Sequence, residues 1–196
     1  MSLLYSYVVD HDTGFAPNPR GSYCTLVHCK FQGTSKYRNI VELAEKGDWI
    51  LGTGGRSKQS AGNNKIIYLM RIDDKLPFQS YLSDKRFIGR DDCKDLSKGN
   101  KFALVSKTFY YFGNNALDIS KLPGALRANL VKRGPRYRKD YPLRRLEKLR
   151  KWFSGKYKIG AHGKPCADKE NKCPRKCRQS STRNPARGKK LNHGRC

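Results

Sequence analysis

Apolar and polar positions alternate with a two-residue period over residues 3–10, with Leu3, Tyr5, Tyr7 and Val9 on one side and Leu4, Ser6, Val8 and Asp10 on the other. That period, with aromatic and β-branched members, predicts a strand. Comparable runs predict strands over residues 23–30, 48–53, 65–72 and 101–106, followed by the aromatic block Phe109-Tyr110-Tyr111-Phe112. Residues 12–21 hold two prolines and two glycines, which predicts a turn-rich loop without regular structure. A short helix is expected after the capping residue Asn39, with Gly47 in a stop position, and one helical turn over residues 77–82. Residues 90–99 read as a charged link. Residues 122–131 predict a helix with Pro123 in its first turn. The clearest helix covers residues 142–153: Leu143, Leu146, Leu149 and Phe153 form an apolar stripe, and Gly155 ends it. From residue 156 onward the chain is polar, basic and too poor in apolar residues to build its own core. Strands at the front and helices at the back predict an α+β protein. The expected architecture is a mixed or antiparallel β-barrel with flanking helices, a domain over residues 1–155 and a basic Cys/His extension over 156–196.

Charge divides the chain in the same way. Residues 1–120 carry 17 basic and 12 acidic side chains, for a net +5, whereas residues 121–196 carry 25 and 4, for +21 of the total +26. Such an excess repels itself unless a polyanion is near, so nucleic acid is the expected partner. No apolar run approaches the roughly 20 residues of a membrane span, and the first ten residues lack the basic region of a secretory signal. A cytoplasmic location, in a bacterial or virus-infected cell, is the expectation.

Several constellations are candidates for chemistry. Asp10, His11, Asp12 and Asn18 place carboxylates, an imidazole and an amide in one short segment. These residue types bind metals or act as acid and base, and an amide matches the donor–acceptor edge of a nucleobase; a tight structural loop fixed by Pro17 and Pro19 is the competing reading. Gly52-Thr53-Gly54-Gly55 followed by Arg56 and Lys58 is no phosphate-binding P-loop, because the Gly-x4-Gly-Lys-Ser/Thr spacing is missing. Arg56, Lys58 and Lys65 are instead candidates for contacts to a nucleic-acid backbone. Phe15, Trp49, Tyr110 and Tyr111 are the candidate members of a base-stacking cage. The run Lys132, Arg133, Arg136, Arg138 and Lys139, together with Arg144, Arg145 and Lys148 on the polar side of the following helix, forms a candidate phosphate-contacting stretch.

The C-terminal extension holds His162, Cys166, Cys173, Cys177, His193 and Cys196. Six soft or imidazole ligands among polar residues match a segment folded by structural zinc, with Cys166, Cys173, Cys177 and Cys196 as the economical quartet and His162 or His193 as alternates. The C-x6-C-x3-C spacing also lies one residue from an iron–sulfur loop of DNA glycosylases, and a metal-free basic tail is the third alternative.

Three stretches together resemble the nucleotide modification-associated domains, second type. They are Asp12-Thr-Gly-Phe-Ala-Pro-Asn-Pro19 with Cys24-Thr-Leu26 and Cys29-Lys30; Lys46-Gly-Asp-Trp-Ile-Leu-Gly-Thr-Gly-Gly55 leading to Ile67–Asp73 and Tyr81–Phe87; and Phe109-Tyr-Tyr-Phe-Gly113 with Arg133-Gly-Pro-Arg136. The resemblance implies an association with phage and bacterial systems that make or handle modified DNA bases. The Gly47-Asp48 turn before Trp49, followed by a hairpin, also resembles the middle of PUA-like barrels, including EVE and YTH readers. That likeness implies an aromatic pocket for an extruded, modified base. The expected function is therefore a DNA-binding protein of modified-base biology. A base- or nucleotide-modifying enzyme or nuclease centred on Asp10-His11-Asp12 and Asn18, and an RNA-binding protein, are the alternatives.

Overall fold

A computed structural model describes residues 2–27, 39–93, 101–131 and 137–167. The first strand, β1 (Leu4–Val9), is buried along its whole length, because the sheet it joins is covered on both faces. β2 (Asn18–Arg20) and β3 (Tyr23–Leu26) follow as a hairpin. Here the structure corrects the expectation of an irregular loop over residues 12–21. Pro19 is tolerated because β2 is an edge strand, so its missing N–H leaves no ladder bond unmade.

Helix α1 (Ile40–Leu43) starts where Asn39 Oδ1 accepts the Glu42 amide at 3.0 Å. Then come β4 (Trp49–Gly54), β5 (Lys65–Arg71), β6 (Asp74–Pro77), α2 (Phe78–Ser83), β7 (Phe102–Ser106), β8 (Phe109–Tyr111) and β9 (Leu117–Asp118). The chain finishes with α3 (Gly124–Arg127), β10 (Tyr137–Arg138), α4 (Leu143–Lys156) and β11 (Gly160–Ala161). α3 is shorter than the sequence predicts, and α4 runs through Gly155 to Lys156.

The described strands form two sheets in place of one closed barrel. The larger runs β10-β1-β4-β5-β8-β11, with β9 also on β5, and the smaller runs β2-β3-β7-β6. β1 and β4 pair in parallel, as do β8 and β11, and every other pairing is antiparallel. The first and last strands of the large sheet's path are only two residues each and do not pair with one another, so the sheet stays open.

Because alternate side chains leave a strand on opposite faces, the large sheet feeds two cores. Tyr5, Tyr7, Ile50, Met70 and Tyr111 meet Cys24, Leu26 and Leu104 of the small sheet. Leu4, Trp49, Leu51, Leu69 and Tyr110 meet Leu146, Leu149 and Phe153 of α4. A third cluster places Phe78 and Tyr81 of α2 on the outer face of the small sheet, against Phe87, Ala103 and Val105. Gly52 serves the first core directly: a Cβ there would collide with the Tyr68 ring, which crosses it. Among the described residues, no helix is long and apolar enough to cross a membrane.

Candidate functional site

The alternation along β8 separates the aromatic residues singled out in the sequence. Tyr110 points to the α4 side with Trp49, and Tyr111 points to the other core. The structure therefore does not bring Trp49, Tyr110 and Tyr111 into one cage. It makes two regions, at opposite ends of the central strands.

At one end lie Asp10, His11, Asp12 and the 54–62 loop, beside the C-terminal end of β4. Asp12 is fully buried, and its carboxylate accepts the Tyr111 hydroxyl at 2.7 Å and the Cys166 amide at 3.2 Å. Its own amide donates to Gln59 O at 3.1 Å, and its carbonyl accepts the Ala167 amide at 2.9 Å. Burial, helped by the neighbouring Asp12 carboxylate, pushes the Tyr111 hydroxyl well above its usual range. The same two causes push the Cys166 thiol up to about 12. Asp12 thus ties the first loop, β8 and the segment after α4 together.

The glycine loop is closed on itself. Gly55 N donates to Ser60 Oγ at 2.8 Å, and Ser60 Oγ donates to Val9 O at 2.6 Å. Arg56 and Lys58 project from it into solvent, as does His11. Asn18 is buried in β2, where its carbonyl accepts from Arg90 Nη1 at 3.0 Å; Phe15, in the preceding loop, is half-buried.

Arg90 and Asp92 come from the stretch that reads as a charged link, and both are buried. Arg90 also donates to Thr25 Oγ1 at 3.1 Å and to the carbonyls of Arg20 and Tyr23. Asp92 accepts from the hydroxyls of Thr25 and Tyr81, at 2.5 and 3.0 Å. Desolvation nevertheless raises the Asp92 carboxyl above its ordinary range, against the lowering pull of those hydroxyls and of Arg90. This network pins the β2–β3 hairpin, and nothing in the residue pattern marks two charges of a polar link for burial.

The opposite end is built differently. The turn before β4 is fixed by Asp48, which accepts the Leu3 and Glu45 amides at 2.8 and 2.9 Å, while Gly47 adopts φ +95°. Trp49 is thereby set at the start of β4, directly opposite Arg71 of β5. The apolar stripe of α4 (Leu146, Leu149, Phe153) docks on this corner, and Phe153 lies 5.3 Å from the Tyr110 ring. Leu143, the first residue of the predicted stripe, stays 46% exposed at the start of the helix.

What the docking leaves is a cavity of about 660 Å³ between the sheet and the cationic side of α4. Trp49 and Tyr110 contribute the rings, and Arg71, Arg144, Lys148, Arg150 and Lys151 the charge, against a single carboxylate, Glu147. Arg150 stands 5.3 Å from the centre of the Trp49 ring. Among the described residues, no salt bridge neutralises Arg144, Lys148, Arg150 or Lys151.

The predicted residues Trp49, Tyr110, Arg144 and Lys148 therefore meet in one place. Arg145 also borders the adjoining hollow, but its guanidinium is tied to the carbonyls of Leu126 and Ala128. Arg138 is engaged by Asp140 at 2.6 and 3.0 Å, and Lys139 beside it is exposed. Lys65 is half-buried at the start of β5. Lys132, Arg133 and Arg136 lie outside the described residues. Sequence reasoning omitted Arg71, Arg150 and Ile159. Arg144, Lys148 and Lys151 share a face by their i, i+4, i+7 spacing, but Arg71 enters only through the β4–β5 register.

The metal candidates divide as well. Cys173, Cys177, His193 and Cys196 lie outside the described residues. Cys166 hydrogen-bonds Asp12, and His162 stacks on Phe112 at 5.1 Å with Nε2 on Lys158 O at 2.8 Å. Among the described residues, no group of three or more His, Cys, Asp or Glu could hold a metal ion.

No curated protein and no solved structure matches the chain. One family model does, over residues 1–100 and 89–172, and by that match the chain belongs to the nucleotide modification associated domain 2 family.

Proposed function

We propose that this protein binds nucleic acid, DNA foremost, in the handling of modified nucleotides, and that the cavity between the large sheet and α4 is its contact site. One observation carries the reading: four cations of α4 that have no salt-bridge partner among the described residues, with Arg71, which Asp73 pairs at 3.5 Å, line a concave site with two aromatic rings. Phosphate satisfies the cations, and the small ring surface that Trp49 and Tyr110 leave open, each residue 3% exposed, gives a base an apolar floor. Helix α4 adds support. Its first turn carries Arg144 and Arg145 and no acid, the unfavourable sign for a helix N-terminus, and a bound anion offsets that repulsion.

The test is fluorescence anisotropy with labelled DNA across a salt series, on the wild-type chain and on Arg144→Ala/Lys148→Ala. Binding should weaken steeply with salt, and the double substitution should lower the slope of log K against log salt by roughly 0.7–0.9 for each phosphate no longer neutralised. Absent binding, or binding indifferent to salt, overturns the reading. Structural zinc held by Cys166, Cys173, Cys177 and Cys196 belongs to the same proposal. Cys166 would have to exchange Asp12 for the metal, and the zinc content of the purified chain tests it.

A further inference from the structure

The main cavity does not end at α4. Ile159, 58% exposed, lines both it and a second cavity of about 520 Å³, whose walls include Tyr23, Lys107 and Phe109. Arg144 and Lys148 line both the main cavity and a third of about 360 Å³ at the start of α4. Three hollows therefore adjoin, from the β2–β3 turn past Lys107 and Ile159 to the sheet face under α4 and on to the start of that helix. The first two repeat one arrangement: an aromatic ring with a cation beside it. Arg150 lies 5.3 Å from the Trp49 ring, and Lys107 lies 5.7 Å from the Tyr23 ring. Between the two pairs stands Ile159, an apolar side chain left in water on a strongly cationic surface.

We infer that this furrow is a track for single-stranded polynucleotide, in which successive bases enter the two ring-and-cation hollows on either side of Ile159 while their phosphates meet Lys107, Arg144 and Lys148. The inference rests on the nucleic-acid reading above and goes beyond it by naming the form of the ligand. A duplex offers two phosphate rails and keeps the faces of its bases stacked inside, so rings at the bottom of hollows would contact nothing. A single strand presents phosphate and base together, which suits hollows where cations stand beside ring edges, Tyr23 half-buried in one and Trp49 3% exposed in the other. The apolar ridge fits the same ligand: Ile159 can pack against a base on either side, whereas against a duplex backbone it meets only charge. Stacking on a ring is sequence-tolerant, so the furrow grips a strand of any composition.

The experiment uses the full chain and three labelled probes of one 12-nucleotide sequence: single-stranded DNA, single-stranded RNA and duplex DNA, with anisotropy as the readout. At moderate salt, at least one single-stranded probe is expected to bind ten-fold or more tightly than the duplex, and the DNA and RNA arms show which sugar is preferred. Ile159→Ala, an exposed position whose truncation leaves the core intact, should weaken single-strand binding about five-fold with its salt slope unchanged. Lys107→Ala should lower that slope by roughly 0.7. Circular dichroism melting confirms that both variants fold. Equal or tighter binding of duplex, or an Ile159→Ala variant indistinguishable from wild type, overturns the single-strand track while leaving nucleic-acid binding standing. Failure of all three probes overturns both.

Discussion

The two ends of the central strands treat charge in opposite ways. Trp49 and Gly54 begin and end β4, and six residues of strand hold the two regions about 17 Å apart. At the Gly54 end, Asp12 is buried and bonded through its carboxylate, amide and carbonyl. Arg90 and Asp92 are handled similarly beneath the small sheet, each with several protein partners. At the Trp49 end, Arg144, Lys148, Arg150 and Lys151 are exposed and lack a carboxylate at salt-bridge distance. Buried charges survive only when hydrogen-bonded, and their partners then contribute to folding. Exposed, unneutralised cations add little to stability, and their gathering over two rings is what supports the nucleic-acid partner we propose. Charge used inside the fold and charge left open to solvent can be told apart by what each group touches.

Substitutions at the buried charges should cost the most. Arg90→Ala strands the Asn18, Arg20 and Tyr23 carbonyls and the charge of Asp92; the loss should be about 3–5 kcal/mol in urea unfolding, by the usual cost of breaking a buried charged network. A loss under about 1 kcal/mol, the scale of an ordinary surface change, would remove the distinction between the two ends. Asp12→Ala leaves the Tyr111 hydroxyl and the Cys166 amide unpaired and should cost about 2–4 kcal/mol, while the DNA affinity of the folded fraction stays within two-fold. A catalytic or ligand-contacting Asp12 would instead show a binding or activity defect larger than its stability defect.

The exposed set should respond in the reverse sense. Arg144→Ala/Lys148→Ala should shift unfolding by no more than about 0.5 kcal/mol and weaken DNA binding about ten-fold or more. Equal effects on both properties would erase the contrast.

A smaller effect sharpens it through pH. The Asp92 carboxyl is raised in the folded state, so the folded chain holds this proton more tightly than the unfolded chain, and ionised Asp92 opposes folding at neutral pH. As pH falls towards the ordinary value of 3.8, that opposition fades. Subtracting Asp92→Asn from wild type should isolate this group, and the difference should move in favour of wild type between pH 7 and pH 4. A difference flat with pH contradicts the desolvated site. Smallest of all, the Cys166 thiol, held protonated beside Asp12, should react with iodoacetamide at pH 8 much more slowly than glutathione does, as read by peptide mass spectrometry. Reaction at the glutathione rate would mean that Asp12 does not hold it.

Much of this was legible in the residues. The Asn39 cap, the β1 alternation and the α4 stripe are local patterns, and each formed where its period placed it. The charge imbalance drew attention to Arg144 and Lys148, and the Gly47-Asp48 turn to Trp49. Other features were hidden for physical reasons. Arg90 and Asp92 look like solvated link residues until Thr25, Tyr81 and the β2 carbonyls close around them. Two prolines masked β2, because an edge strand tolerates what an interior strand does not. Tyr110 and Tyr111 are equivalent as neighbours in sequence, and only the pleat sends one to each core.

The sequence by itself determined most of the longer strands, the helix α4 with its apolar and cationic faces, and the family resemblance, because periods, caps and motifs are local properties. Tertiary structure alone decided that the strands open into two sheets, that Arg71 stands opposite Trp49, and that Ile159 returns to line two adjoining cavities. Those outcomes depend on strand register and on which face α4 covers, and both are set by contacts between residues far apart in the chain.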